Sequence, residues 1–379
     1  ISFLLKNQGV TLVKGHGKFI DSKTIHVSSN GRGKTFKANR VIVATGSRPI
    51  STVEMKIDGR WILSTDQALE IQRIPENILI IGGGVIGVEF ATIFHSLGSR
   101  VRLIEMLPEI IPNEDEEVST GLRRLMEKEG IDILTNTKVL HTLPKKEGVE
   151  VWVEKGGRKE KLLGEKVLLA IGRTPNTQDL HLDKMGIEME GGFIKVNSKM
   201  ETNVDGLYAI GDVIGKKMLA HAASAEGIVA VENIMGKSRE IDYQKIPSCI
   251  YTFPEIASVG LKETEARERG YDIQIGRFPL SNSGKAWAVG ETEGFIKLIA
   301  EKELGQIIGA HLLGEQATEL IGEILLAINL EASIEDLGEV VKGHPTLSES
   351  ITEAALDWQK KAIHQAPNPV VRRKERTTS

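Results

Sequence analysis

The sequence predicts an α/β fold, on three observations. The run IPENILIIGGGVIGVEFATIFHSLGSRVRLIEM (74–106) has the pattern of a buried strand, a glycine loop, an amphipathic helix closed near Gly98 and a second strand, which is a βαβ unit. ETNVDGLYAIGDV (201–213) has the pattern of a turn and a short strand ending in Gly-Asp, and a helix rich in small residues, AHAASAEGIVAVENIMG (220–236), follows it. From 246 onward, apolar segments (CIYTF, IASVG, FIKLIA, IIGAHLL) alternate with helical stretches (ATELIGEILLAINL, SESITEAALDWQKKA), an α+β block with its own core.

The remaining elements are assigned in chain order. ISFLLKNQGVTLV (1–13) reads as the end of a helix running into a strand, and not as a natural N-terminus. LVKGHGKFI (12–20) and KTIHVSS (23–29) suit a hairpin-like meander. KANRVIVATGSRP (37–49) is a buried strand, a glycine-containing turn and a proline stop. NEDEEVSTGLRRLMEKEG (113–130) is a helix, acidic at its start and stopped by Gly130. Strands are expected near 131–135, 149–154 and 166–171. QAPNPVVRRKERTTS (365–379) is polar and contains proline, and is expected to be a flexible tail.

Composition narrows the function classes. The chain has 379 residues, 48 basic against 52 acidic, for a net charge of −4, so no polybasic footprint points to nucleic acid. The longest apolar runs, such as VLLAIG (167–172), are strand-sized and far short of the roughly 20 residues that span a bilayer. One cysteine, Cys249, excludes an internal disulfide framework and fits a reducing compartment: cytoplasm, or the mitochondrial matrix for a eukaryotic source. Set in the apolar segment SCIYTF, it reads as a small hydrophobe. No metal-ligand cluster stands out.

Gly82, Gly84 and Gly87 spell G-x-G-x-x-G between strand and helix. The first glycine permits the tight turn, the second lets the backbone approach a pyrophosphate, and the third lets helix pack on strand. The helix N-terminus then offers free N–H groups to phosphate. Glu105 ends the next strand, where a carboxylate accepts from a ribose 2′-hydroxyl and repels a 2′-phosphate, which favours NAD over NADP. Arg100 and Arg102, near the same strand end, leave that preference open. A glycine turn beside a surface glutamate is the alternative.

ETNVDGLYAIGDV, together with VIVATGSRP and VLLAIGRTPNT, resembles the flavin and nucleotide segments of flavoproteins with two Rossmann-like dinucleotide-binding domains. Within that group the chain is similar to the dihydrolipoamide dehydrogenase family from residue 1 to about 360, through KGHGKF, ATGSRP, GGGVIGVE, TNTKV, AIGRTPNT, LYAIGDV, MLAHAASAEG, IYTFPEIASVG and HPTLSES. The resemblance implies a second part of an FAD domain at 1–73, an inserted NAD domain at 74–196, a return to the FAD domain at 197–245, an interface domain at 246–362 and a tail at 363–379. It implies FAD at Gly17, Thr45, Gly46, Ser47, Asp212 and the backbone of Met218, Leu219, Ala220 and His221. It implies NAD at Gly82, Gly83, Gly84, Val85, Ile86, Gly87, Val88 and Glu89, then Glu105, Val139 and Gly172. Glu89 is expected beside the nicotinamide, paired with a lysine next to the reactive disulfide. The implied partners are a second copy of the chain, in a homodimer, and lipoyl-bearing proteins of 2-oxo acid dehydrogenase or glycine cleavage complexes.

HPTLSE (344–349) carries the implied acid–base chemistry. His344 matches the base that takes a thiol proton, acting on the other subunit's disulfide, and Glu349 matches the carboxylate that orients it. Thr346-x-x-Glu349 also fits a helix capping box. Where the family often has a second histidine two places before the base, this chain has Lys342. The family's first glycine motif and its C-x-x-x-x-C pair are not found in the chain. They are expected upstream, in something on the order of a hundred residues. Whether the chain keeps FAD without them stays open. Two alternatives also stay open: a relative reducing glutathione disulfide or mercuric ion, and an NAD-binding, dimerising module without redox activity.

Overall fold

A computed structural model describes residues 1–365, so the expected tail lies almost wholly outside the described residues. Two compact units emerge, Ile1–Arg48 with Arg173–Tyr243, and Pro49–Gly172 with Gln244 onward. The sequence placed the first crossovers at 74 and 196. The chain changes unit about 25 residues earlier at both, because the short strand Ile62–Leu63 joins the parallel sheet of the second unit and Arg173 opens the return to the first.

In the first unit, strands His16–Asp21, Thr24–Ser29 and Arg32–Lys37 form an antiparallel meander. Strand Val41–Val43 pairs in parallel with Leu207–Ala209, and both end at the turns that carry the glycine motifs. Helix Ala220–Ile234 buries Ala222, Val229 and Ala230, and Val229 and Ala230 join a core with Phe19, Val43, Leu207 and Val213. The expected helix end is present as Ser2–Asn7 and buries none of its residues. The strand expected to follow it is absent until His16. Val10, Leu12 and Val13 are exposed, with no strand beside them to supply a ladder.

In the second unit, five parallel strands run in the order Ile62–Leu63, Lys166–Leu169, Asn77–Ile81, Arg100–Ile104, Asp132–Leu134. After Asn77 the central strand is apolar, because both its faces are covered. Ile78 and Ile80 face helices Val85–Ser96 and Glu116–Glu129. Leu79 and Ile81 face an antiparallel sheet of Lys138–Lys145, Gly148–Lys155 and Arg158–Gly164. Gly130 ends the second helix in the left-handed region, as expected of a glycine stop. A second five-stranded sheet, antiparallel, orders its strands Ser248–Ile250, Glu255–Gly260, Ile307–Gly314, Phe295–Glu301, Ile273–Pro279. Helices Ala317–Asn329 and Glu349–Trp358 pack on it. No helix among the described residues is long and apolar enough to cross a membrane.

Candidate nucleotide-binding and acid–base sites

The glycine loop follows the central parallel strand. Gly82 has φ +106°, and a side chain there would press on the Ala170 carbonyl at 2.4 Å. At Gly87 a Cβ would sit 1.8 Å from the Gly82 oxygen, so only glycine lets this helix approach its strand. Gly84 differs, because a Cβ there would meet no protein atom within 4 Å. It caps helix Val85–Ser96 without a side-chain hydrogen bond. Folding therefore does not demand glycine at 84. The residues fit a pyrophosphate on this loop.

Glu105 is 7% exposed and closes the loop from the neighbouring strand end. Its Oε2 accepts from the Gly83 N–H at 2.6 Å and its Oε1 from the Leu107 N–H at 2.7 Å. A carboxylate oxygen has two lone pairs, so each retains capacity for a ribose hydroxyl. Arg100 and Arg102 do not share this end of the strand. Arg100 opens it beside Asn77, and Arg102 is bound to Asp132 at 2.5 Å. The expected grouping of these arginines with Glu105 is corrected by the direction of the strand: Arg102 and Arg100 lie three and five residues, at a rise of about 3.3 Å each, before Glu105.

Val85, Ile86 and Val88 lie in the first turns of the loop's helix. Val139, on strand Lys138–Lys145, is partly buried against the core between the parallel sheet and the antiparallel sheet beside it. Gly172, φ +116°, accepts from the Ile50 N–H. Glu89, one turn into the helix, accepts from the Tyr251 N–H at 2.9 Å. Burial pushes the Glu89 carboxyl above its ordinary value, and that hydrogen bond only partly opposes the shift.

A second group gathers in the first unit. Ser47 Oγ donates to Asp212 at 2.6 Å, and Arg173 Nε donates to Ser47 Oγ at 2.6 Å. Thr45 Oγ donates to the Asn176 carbonyl, and the Asn176 amide donates back to Thr45. Gly46, φ +70°, leaves open space where a side chain would stand. Leu219 opens helix Ala220–Ile234 with no side-chain cap hydrogen bond, and its own N–H donates to the Lys217 carbonyl at 2.9 Å. Open backbone, a fixed carboxylate and an uncapped helix fit a dinucleotide. Gly17 lies in the meander opposite Val27.

Sequence reasoning passed over three residues here. Arg173 stands inside AIGRTPNT. Glu226, fully buried, takes the Gly211 N–H at 2.6 Å and the Tyr243 hydroxyl at 2.7 Å, and so fixes the turn before Asp212. Burial and this carboxylate drive the Tyr243 pKa well up. Only the glutamate in AHAASAEG gave a signal, being charged among small residues on a helix.

The third group is His344 and Glu349. His344 Nδ1 lies 2.9 Å from Glu349 Oε1, and Glu349 Oε2 accepts from the Thr346 N–H at 2.8 Å. One carboxylate thus serves both as orienter and as the N-terminal clamp of helix Glu349–Trp358. Burial works against its charge, but these two partners hold the Glu349 carboxyl below the ordinary range. A carboxylate on Nδ1 fixes the tautomer that leaves the Nε2 lone pair available. The ring is well exposed. Lys342 pairs with Glu323, so its charge is already matched. Cys249 is half-buried, and burial together with Glu255, Glu114 and Glu319 raises its thiol pKa, which disfavours the thiolate.

Comparison with known proteins gives the family of the chain. The pyridine nucleotide-disulphide oxidoreductase family profile matches residues 1–227, and the dimerisation domain of that family matches 246–355. The chain belongs to this family. It is 43% identical over 368 residues to a dihydrolipoyl dehydrogenase of Thermus scotoductus, covering 96% of this chain and 78% of the relative. It is 40% identical over 368 residues to a mitochondrial dihydrolipoyl dehydrogenase of Pisum sativum, covering 96% and 74%. The crystal structure of LpdA from Mycobacterium tuberculosis superposes with a TM-score of 0.88 at 28% identity, covering 93% of this chain and 78% of that one. Family membership makes the protein an NAD-linked oxidoreductase that works through flavin and disulfide chemistry.

Proposed function

We propose that the protein oxidises protein-bound dihydrolipoamide and reduces NAD, as a homodimer. The observation that carries this reading is the His344–Glu349 pair, which holds a well-exposed imidazole by its Nδ1 just before a helix. His344 accepts the proton of an incoming thiol, and the thiolate so formed attacks a disulfide. Glu349 stabilises the resulting imidazolium. The chain has one cysteine, so the reactive pair comes from outside these 379 residues. FAD, if bound, would supply the two-electron redox chemistry that links that dithiol to the nicotinamide. Thr45, Gly46, Ser47, Asp212 and the Met218–His221 backbone would hold FAD, with Gly17 nearby in the first unit. Gly82 to Glu89, Glu105, Val139 and Gly172 would hold NAD.

We further infer that residues 246–362 form the subunit interface and that His344 serves the partner's disulfide, which fits its exposure in the dimerisation-domain match. Lipoyl-bearing proteins are then the macromolecular partners. A site in cytoplasm, or in the matrix for a eukaryotic source, fits the thiol chemistry.

Glu105→Gln tests the nucleotide assignment. The amide keeps one acceptor oxygen and loses the charge that repels a 2′-phosphate. The preference for NADH over NADPH, measured by fluorescence titration, is expected to fall about ten- to hundredfold, the worth of a charged hydrogen bond. An unchanged preference removes Glu105 from the ribose site.

A further inference from the structure

Lys297, on strand Phe295–Glu301 of the antiparallel sheet, is 1% exposed. Its ammonium donates to both oxygens of Asp115 at 2.9 and 3.1 Å and to Glu117 at 2.8 Å, and lies 2.9 Å from Glu263. Arg277, from the adjacent strand, grips Glu117 through Nε at 3.0 Å and Nη2 at 2.5 Å. His311, the cross-strand partner of Lys297, is buried and gives its Nε2 to the Leu261 carbonyl. Burial lowers the His311 pKa. A buried ion cluster of this kind adds little net stability over a well-packed apolar one. It does fix the position of its members.

Asp115 is the end of a short bonded path to the glycine loop. It caps helix Glu116–Glu129 through the Glu117 N–H at 3.1 Å. In the first turn of that helix, Ser119 Oγ donates to the Ile111 carbonyl at 3.0 Å. The Ile111 N–H donates to the Gly83 carbonyl at 2.7 Å, while the Gly83 N–H is held by Glu105. The Gly83 peptide is therefore gripped on both sides by the segment 105–111. Ile111 itself is buried with φ +40°, a strained conformation for a β-branched residue that persists only where its surroundings enforce it. Gly121, further along the same helix, allows the close approach: a Cβ there would lie 2.7 Å from Leu313 of the antiparallel sheet.

We propose that Lys297 is a positioning residue for the nucleotide loop. By clamping Asp115 it sets the segment that holds Gly83 and Glu105 in register for the dinucleotide, so that the dimerisation sheet supports the cofactor site. The inference rests on the assignment of NAD to this loop.

The test is NADH and NADPH titration of the holoenzyme carrying Lys297→Met or Asp115→Asn. Methionine keeps the length of the side chain and removes its charge. Asparagine keeps the helix cap, since Asn and Asp cap about equally. Lys297→Met is expected to weaken NADH binding about tenfold, the equivalent of 1.4 kcal/mol, and to weaken NADPH binding less, so the selectivity ratio falls while the far-ultraviolet dichroism is unchanged. Asp115→Asn is expected to shift the ratio in the same direction. A purely structural role would lower the melting temperature and leave the ratio alone. Intact NADH affinity and selectivity in a folded variant overturn this inference alone. If Lys297→Met does not fold, Asp115→Asn decides. Absence of NADH binding by the unaltered holoenzyme overturns the nucleotide assignment and this inference with it.

Discussion

His344→Gln is expected to slow dihydrolipoamide-dependent NAD reduction by about 10²–10⁴-fold, the usual contribution of a positioned acid–base group. The variant is measured in the protein that contains the redox cysteines. Transfer of electrons from NADH to an artificial dye is expected to stay within about threefold of the unaltered enzyme, because that route bypasses thiol deprotonation. Glutamine occupies nearly the volume of the ring and can still bond Glu349, so the helix start survives. The split between the two assays is the diagnostic result. Equal loss in both assays would place His344 in the architecture of the site and not in its proton transfer.

The glycine loop yields the second large effect, and it separates folding from binding. Gly84→Ala adds a methyl group where no protein atom lies within 4 Å. The fold is expected to tolerate it, with the melting temperature shifted by no more than about 2 °C. A pyrophosphate bound at the helix N-terminus is expected not to tolerate it. NADH affinity is expected to fall about a hundredfold, the equivalent of an overpacking cost near 3 kcal/mol. Gly87→Ala acts on the other side of the ledger. Its methyl would overlap the Gly82 carbonyl at 1.8 Å, so helix and strand must separate. The expected destabilisation exceeds about 4 kcal/mol, and soluble yield should collapse. A Gly84→Ala variant that binds NADH normally would show that the loop is shaped for packing alone.

What the sequence made legible is local. The packing demands at Gly82 and Gly87 depend on residues within one turn and its flanking strands, so spacing sufficed to read them. The same holds for Gly130 as a helix stop and for the Thr346–Glu349 hydrogen bond. The strands Arg158–Gly164 and Ile273–Pro279 were not assigned. The first exposes five of its seven residues, and most of these are charged, which masks the alternation that marks a half-buried strand. The site's supporting contacts were the least legible. Ser47 meets Asp212 across 165 residues and Lys297 meets Asp115 across 182. Neither pair has a spacing signature, because tertiary pairing of this length is set by the packing of whole elements. The same reasoning explains the early unit boundaries. Two residues, Ile62 and Leu63, add an edge strand to the parallel sheet, too short a run to announce itself by periodicity.

The proposed reaction takes dihydrolipoamide as the reductant and NAD as the oxidant. The measurement that tests this most directly is a substrate profile of the complete flavin-loaded enzyme, following the nicotinamide absorbance. Rapid NADH formation from dihydrolipoamide and NAD, with no oxidation of NADPH by glutathione disulfide, is the result predicted by His344, Glu349 and Glu105 together. Turnover with glutathione disulfide and none with dihydrolipoamide would contradict it.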